Sequence, residues 1–577
     1  MANGKREPLL AYFSMEIALD SSVPNYSGGL GVLSGDTLRS AADMALPMVA
    51  VSLLYRKGYF IQRLDARGQQ TEDPVVWNPR EKLEILPQRA RVQIEGREVT
   101  IAPWRYIVRG NGGHSLPVLL LDTNLPENAE QDRGLTDYLY GGDSHYRLCQ
   151  EVVLGMGGVK ILREIGHRHL KRFHMNEGHA ALCTVALLEE KLGGTSGTVT
   201  PEMMEDLRER CVYTTHTPVP AGHDAFTGEL TLQVLGPERV ELMKQVGQDG
   251  GLNMSTLALK CSSYTNAVAL KHAVVSRTLF PPGSVINSIT NGVHIPTWAS
   301  KPMQELFDRR IPGWREDPLG LRYMIDVPDE DVWSAHMISK KDLVALVKAK
   351  TGVSFNNDVL TLGFARRMTD YKRPTLLFED LARLKSIAKY VGPMQILYSG
   401  KAHPRDEIGK AHIRRIFEVM GILKDRIQVA FLEGYDMEVA RKMVAGVDVW
   451  VNTPRPPLEA SGTSGMKAAV NGVPSLSVRD GWWMEGHIEE VTGWAVGEHI
   501  DDTTNPAHDS RYSASLYNEL SKSIMPMFYE DRPSFLRVMK NTVALNASHF
   551  NTHRMVAQYV RFAYRMPKLL GGPEAEK

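Results

Sequence analysis

Short apolar runs alternate with segments of helical spacing along most of the chain. In the second half, residues 358–365, 395–400, 427–434, 447–452 and 474–478 read as strands, the last of them closing the series. Helical spacing fills 375–392, 406–421 and about 437–444 between them. The first half repeats the alternation with longer insertions: strands at 9–15, 47–55, 172–175, 211–215 and 285–290, helices at 35–46, 146–165, 178–192 and 255–271. Strands alternating with helices predict parallel sheets covered on both faces. A chain of 577 residues is too long for one hydrophobic core. The economical division is two doubly wound α/β domains facing across a cleft, over 1–290 and 291–545, with a helical segment at 546–577 that crosses back onto the first.

In open parallel sheets, ligands bind beyond the carboxyl ends of the strands. The unusual polar stretches fall there: RRMTDYKRP, GKAHPRD, GY and LEASGTSGMKAAVNGV in the second half, NYSGGLG, NEGHAA, THTPVPAGHD and TNGVH in the first. With the sheets facing each other, these loops line one interdomain cleft.

Composition narrows the class. Hydrophobic residues make up 43% and charged residues 23%, as in ordinary globular proteins. Lys plus Arg and Asp plus Glu both number 67, so the balance argues against a dedicated nucleic-acid binder or a polybasic membrane protein. Cys149, Cys183, Cys211 and Cys261 are widely spaced and suit buried thiols better than disulfides or zinc. No metal is expected. Charge interrupts the N-terminus too early for a signal peptide, and no window reaches the roughly 18 apolar residues of a membrane span. The reading is a cytoplasmic protein.

Several loops carry candidate chemistry. SGGLG at 27–31 precedes a helix and could cradle a phosphate, although a tight strand-to-helix turn accounts for it equally well. Arg366, Arg367, Lys372 and Arg373 crowd nine residues, a density that suits a dianion or a solvated loop. His174 and His179 lack the spacing of a helical zinc protease, and His216, His223 and His294 lie in other loops. Glu177, Asp224, Glu459 and Glu485 are possible acid–base carboxylates that no spacing pairs. Lys467 sits among Ser, Thr and Gly, where desolvation would free an amine for an aldehyde.

Taken in order, YFSMEIAL, YSGGLGVLSGD, LLYRKGYF, LYGGD, MNEGHAAL, TTHTPVPAGHD, TNGVHIPTW, RRMTDYKRP, NTPRPPLEASGTSGMKAAVNGV and DGWW resemble the α-glucan phosphorylases, in their shorter prokaryotic branch. The resemblance implies two Rossmann-like domains in the GT-B glycosyltransferase architecture. It implies a hexosyltransferase for reversible phosphorolysis, moving a terminal α-1,4-linked glucose from a glucan to inorganic phosphate and giving α-glucose 1-phosphate with retention. Lys467 then matches the lysine that holds pyridoxal 5′-phosphate as a Schiff base, with Tyr435, Thr463, Ser464 and Gly29 around the cofactor. In the family, the cofactor's phosphate exchanges a proton with the substrate phosphate. Arg367 and Lys372 match the phosphate-site cations, and Gly29 and Leu30 the glycine-rich donors near it. His179, Asn291, Glu459, Ser461 and Gly462, with Tyr371 beside them, match sugar-binding positions, and the resemblance counts His179 with Lys467, Arg367 and Lys372 as catalytic.

Ser464 and Gly465 depart from the animal and plant pattern, which has a glycine and an asparagine at these places. The animal enzymes' phosphorylation segment and nucleotide effector site are not identifiable, so allosteric control of that kind is not expected. The implied partners are glucan, phosphate and a second copy of the chain in a homodimer, with neither nucleic acid nor membrane. The competing readings are a nucleotide-sugar-dependent glucan synthase, which has no use for the lysine of SGTSGMK, and a non-catalytic glucan-binding protein, which predicts a lost lysine or cation.

Overall fold

The computed structural model describes residues 7–219, 222–497 and 505–571. Pro220 and Ala221 of the THTPVPAGHD loop, and the outermost residues of the first and last predicted segments, lie outside the described residues.

The second half folds as a six-stranded sheet, in the spatial order Gln428–Leu432, Met394–Ser399, Leu360–Ala365, Val449–Asn452, Ser475–Val478, Gly493–Val496. All its pairings are parallel. Strand order therefore reverses between Leu360–Ala365 and Val449–Asn452, and the loops leaving those two strands diverge to open a crevice. These strands are buried on both faces, which is why they read as continuous apolar runs.

The first sheet repeats the plan. Its parallel part runs Asn287–Ser288, Tyr264–Ala267, Cys211–Thr214, Arg172–Asn176, Leu10–Phe13, Met48–Leu53, Ser115–Asp122. The reversal falls between Leu10–Phe13 and Arg172–Asn176, so Glu16 and the glycine loop leave one side of it and Glu177–His179 the other. Strand Arg97–Arg109 then adds antiparallel to Ser115–Asp122, and Glu84–Ile85 and Ala90–Ile94 pair with it. The two facing doubly wound units are thus present.

Local boundaries differ from the sequence reading. The helix expected over 255–271 is a helix Met254–Lys260, the strand Tyr264–Ala267 and the start of a helix Leu270–Leu279. That strand lies inside a parallel sheet, so its apolar run carries no period to set it apart from a helix. The helix expected from 35 begins at Gly29, because its glycines serve packing: a Cβ on Gly35 would lie 2.1 Å from the Ala18 carbonyl oxygen. The 375–392 segment is a short turn, Leu376–Phe378, followed by a helix Leu381–Tyr390 capped by Asp380. The strand at 474–478 is not the last, since Gly493–Val496 pairs beyond it.

The chain returns to the first sheet at its end. Asn551 bridges in parallel to Val293, and helix Thr552–Gln558 with its continuation Tyr559–Ala563 packs Met555, Val556, Tyr559 and Val560 into one core with Leu10, Tyr12 and Leu38. Ser40 Oγ and Thr552 Oγ1 share a hydrogen bond of 2.6 Å, and His174 Nδ1 lies 2.7 Å from the Tyr564 hydroxyl. Met555 is 1% exposed. Its replacement by Ala is expected to lower stability by about 2–5 kcal/mol, read as a fall in the urea midpoint at unchanged slope.

Candidate active site

The two reversal points face each other across a cavity of about 520 Å³. Every site residue that the resemblance implies lines it, and of the other candidates Glu177, His216, Asp224 and Arg366 do too, whereas His174, His223, His294, Arg373 and Glu485 are hydrogen-bonded elsewhere. Gly29, Leu30, His179 and Asn291 enter from the first sheet's loops; Arg367, Tyr371, Lys372, Tyr435, Glu459, Ser461, Gly462, Thr463, Ser464 and Lys467 enter from the second's.

Glu459 organises the second wall. A single oxygen, Oε2, accepts from Arg366 Nη2 and from Lys372 Nζ, each at 2.6 Å. Burial pushes this carboxyl up, but Arg366 and Lys372 outweigh burial and hold it down at about 2. Its backbone N–H donates to Asp480 Oδ2 at 2.9 Å. Gly462, at φ +72, folds the chain back beneath this carboxylate. Of the predicted phosphate cations, Lys372 is therefore already paired, whereas Arg367 has no carboxylate within salt-bridge distance among the described residues. Arg367 Cδ lies 3.8 Å from where a Cβ on Gly28 would be, so it faces the glycine loop directly.

Lys467 projects from the short helix Ser464–Val470. Its ammonium stands 4.3 Å over the Trp298 ring, and Trp298 Nε1 donates to Asp36 Oδ2 at 2.7 Å. Burial pushes the amine down to about 8, against a weaker pull from Asp36. Among the described residues its Nζ has no hydrogen-bond partner, so the neutral amine is free at mildly alkaline pH. Gly465 has a packing reason: a Cβ there would meet the Trp482 ring at 2.8 Å and Ser475 Oγ at 3.0 Å. The Ser464 hydroxyl is engaged with Trp450 Nε1 and Asn452 Oδ1.

On the first wall, Glu16 fixes the glycine loop. Its Oε2 accepts from the N–H groups of Ser27 and Gly28 at 2.6 and 3.2 Å, and Tyr140 donates to Oε1 at 3.1 Å. Gly31 leaves room for that carboxylate, since its Cβ would lie 2.7 Å from Oε2. The first-turn N–H groups of Gly29 and Leu30 have no intrahelical acceptor and head a helix of 15 residues. His179 Nε2 accepts from the Met15 N–H at 3.0 Å, and burial drives its pKa down to about 3. Its imidazole is a neutral structural acceptor that does not take up a second proton near neutral pH.

Glu16, Arg147 and Lys401, which sequence reasoning did not select, also line the cavity. Glu177, at φ +85, accepts from the N–H of His216 at 2.7 Å and the hydroxyl of Thr217 at 3.1 Å, which orders the loop opposite the basic wall. Three buried atoms on the cavity wall lack partners: Asn291 Oδ1, Arg366 Nη1 and Arg147 Nη1. One acceptor and two cationic donors suit a ligand that bears both hydroxyl and anionic groups. No cluster that could hold a metal occurs among the described residues, and no helix among them is long and apolar enough to cross a membrane.

Comparison with known proteins gives a consistent picture. A family model described as carbohydrate phosphorylase matches residues 184–525. Maltodextrin phosphorylase of Thermococcus litoralis is 38% identical, over 96% of this chain and 70% of its own length. Glycogen phosphorylase of Mycobacterium tuberculosis is 34% identical over the same shares. Glycogen phosphorylase of Aquifex aeolicus is 33% identical over 96% of this chain and 86% of its own length.

The sign of the Glu459 shift sets a pH dependence. A carboxyl held at about 2 in the fold and near 4.5 when unfolded stabilises the protein above about pH 4.5, and that contribution drains away as pH falls toward 2. The Glu459→Gln variant, which leaves two buried cations unpaired, is expected to lose about 3–5 kcal/mol at neutral pH. Its stability should also fall less steeply than the wild type's between pH 4.5 and 2.5, as measured by urea titration.

Proposed function

Since the chain belongs to the carbohydrate phosphorylase family, we propose that it is an α-1,4-glucan phosphorylase that transfers a terminal glucosyl unit from a glucan to inorganic phosphate. The family has the GT-B fold, uses pyridoxal phosphate and acts on glucan with phosphate. The observation that carries the reading for this chain is the pairing of a free, depressed lysine amine with an unpaired arginine in one cavity.

The residues fit the cofactor. Lys467 would hold it covalently through its ε-amine, with the Trp298 ring below and Tyr435, Thr463 and Ser464 around it. When bound, it supplies a phosphate group that passes a proton to and from the substrate phosphate.

The remaining work falls to the chain's own side chains. Arg367 and the N–H groups of Gly29 and Leu30 grip the phosphate dianion from opposite walls and hold it under the sugar. Lys372 and Arg366, neutralised in part by Glu459, add positive potential without trapping the anion. In phosphorolysis the C1–O4 glucosidic bond breaks and a C1–O bond to phosphate forms on the same face. The departing glucan oxygen takes its proton from the phosphate. Asn291 Oδ1 and Glu459 Oε1 accept from glucosyl hydroxyls, and Ser461 and Gly462 close the sugar pocket beside them. The neutral His179 serves by fixing Met15 and the adjoining wall rather than by acid–base exchange. A nucleotide-sugar donor would leave Lys467 without a task.

The test is the absorption spectrum of the purified protein before and after borohydride, with peptide mapping. The expected result is a pyridoxal chromophore fixed at Lys467, and glucose 1-phosphate released from maltoheptaose and phosphate. Lys467→Ala should abolish both, and Arg367→Ala should raise the phosphate KM by about 10²-fold or more. A protein without chromophore after incubation with pyridoxal phosphate, and without phosphate-dependent activity, would refute the assignment.

A further inference from the structure

A polar hairpin of the first half reaches into the second. Strands Ile61–Leu64 and Gln70–Asp73 pair antiparallel with no apolar core of their own, and their most buried side chains are two glutamines, Gln62 at 1% and Gln70 at 2% exposure. Buried amides on so small an element call for partners, and these are found in the other half of the molecule. Gln62 Nε2 donates to the Gly400 carbonyl at 2.9 Å, and its Oε1 accepts from the Gly434 N–H at 3.0 Å. Gln70 Nε2 donates to the Ala402 carbonyl at 2.9 Å, and its Oε1 accepts from the Ala402 N–H at 3.0 Å. Gln62 Nε2 also donates to Gln70 Oε1 at 2.9 Å, so the two amides act as one unit.

The backbone they hold belongs to the anion wall. Gly400–Ala402 leaves strand Met394–Ser399 and carries Lys401, a cavity cation that burial pushes below its usual pKa and that has no carboxylate partner among the described residues. The same loop is packed against the basic segment: the Met368 N–H donates to the Lys401 carbonyl at 2.9 Å, and a Cβ on Gly400 would lie 2.1 Å from the Arg366 carbonyl oxygen. Gly434, at φ +75, immediately precedes Tyr435 on the cavity wall. Movement of the glutamine pair would therefore reach Lys401, Arg367 and Tyr435 together.

We propose that Gln62 and Gln70 are positioning residues for anion binding, through which the first half of the chain sets the place of Lys401, Arg367 and Tyr435 in the cavity. Lys401 is then a further phosphate-facing cation beside Arg367. The inference deepens the phosphorylase reading and rests on it for the identity of the anion. It also explains why a hairpin so poor in apolar residues spends its two buried positions on amides.

The experiment uses the holoenzyme and reads inorganic phosphate affinity by calorimetry, hydrogen exchange of peptides covering 400–402 and 433–437, and steady-state kinetics. Gln62→Ala is expected to weaken phosphate about tenfold and to raise the phosphate KM by a like factor. Its kcat should fall less, and exchange should quicken in both peptides. Lys401→Ala should weaken phosphate to a similar degree without altering exchange at 433–437. Arg67→Ala, on the exposed turn of the same hairpin, should leave phosphate affinity unchanged. Should Gln62→Ala fail to fold, Gln70→Asn, shorter by one methylene, carries the same expectations. Variants with a lowered melting temperature but wild-type phosphate affinity and exchange would overturn the proposal, reducing the hairpin to structural support. A wild-type enzyme that binds phosphate yet does not cleave glucan would overturn the proposed function, while the affinity and exchange readouts would still decide the glutamines' role.

Discussion

One carboxylate oxygen holding two cations is the constraint on which the cavity depends. Glu459 Oε2 fixes Arg366 and Lys372 at 2.6 Å each, and so ties the loop after the first strand of the second sheet to the loop after the fourth. Those loops leave the two strands at which the sheet's order reverses, so without the carboxylate two desolvated cations would repel each other across an open crevice. With it, the local charge is positive by one at the shared site. Arg367 and Lys401 supply the remainder, with no carboxylate within salt-bridge distance among the described residues. An anion that enters completes a charge balance that the protein alone leaves unfinished.

The first wall answers with backbone rather than charge. Glu16 takes the N–H groups of Ser27 and Gly28, which fixes the loop just ahead of the first-turn N–H groups of Gly29 and Leu30 and sets the helix behind them. A carboxylate thus orders the donors on one wall, as another orders the cations on the opposite wall. Lys467 lies between them, its amine kept from water by the Trp298 ring, and that ring is itself held by Asp36.

Much of this was legible in the sequence, and the exceptions have physical causes. The strand–helix alternation carried the fold class because parallel strands are buried on both faces. The same burial concealed Tyr264–Ala267 within an expected helix, since a doubly buried strand has no polar face to reveal its period. The quoted motifs brought every site residue that the resemblance implies to the cavity. Glu16 was passed over, and Arg366 was named only as one of a basic cluster, because their roles depend on partners distant in sequence: Arg366 meets a carboxylate 93 residues on. Gln62 and Gln70 bear no chemical signature at all. Only their depth beneath another part of the chain sets them apart from ordinary hairpin amides.

The chain crosses between its two units twice, and the crossings lie side by side: Val293 on the way out pairs with Asn551 on the way back. A Cβ on Gly292 would sit 2.3 Å from the Asn551 backbone, so the two strands of the joint are in contact there. A joint of two touching plies resists twist more than a single linker does and still permits bending about one axis. The glutamine hairpin, hydrogen-bonded to Gly400, Ala402 and Gly434, fastens the same two halves at a second place, so the joint does not set their relation alone.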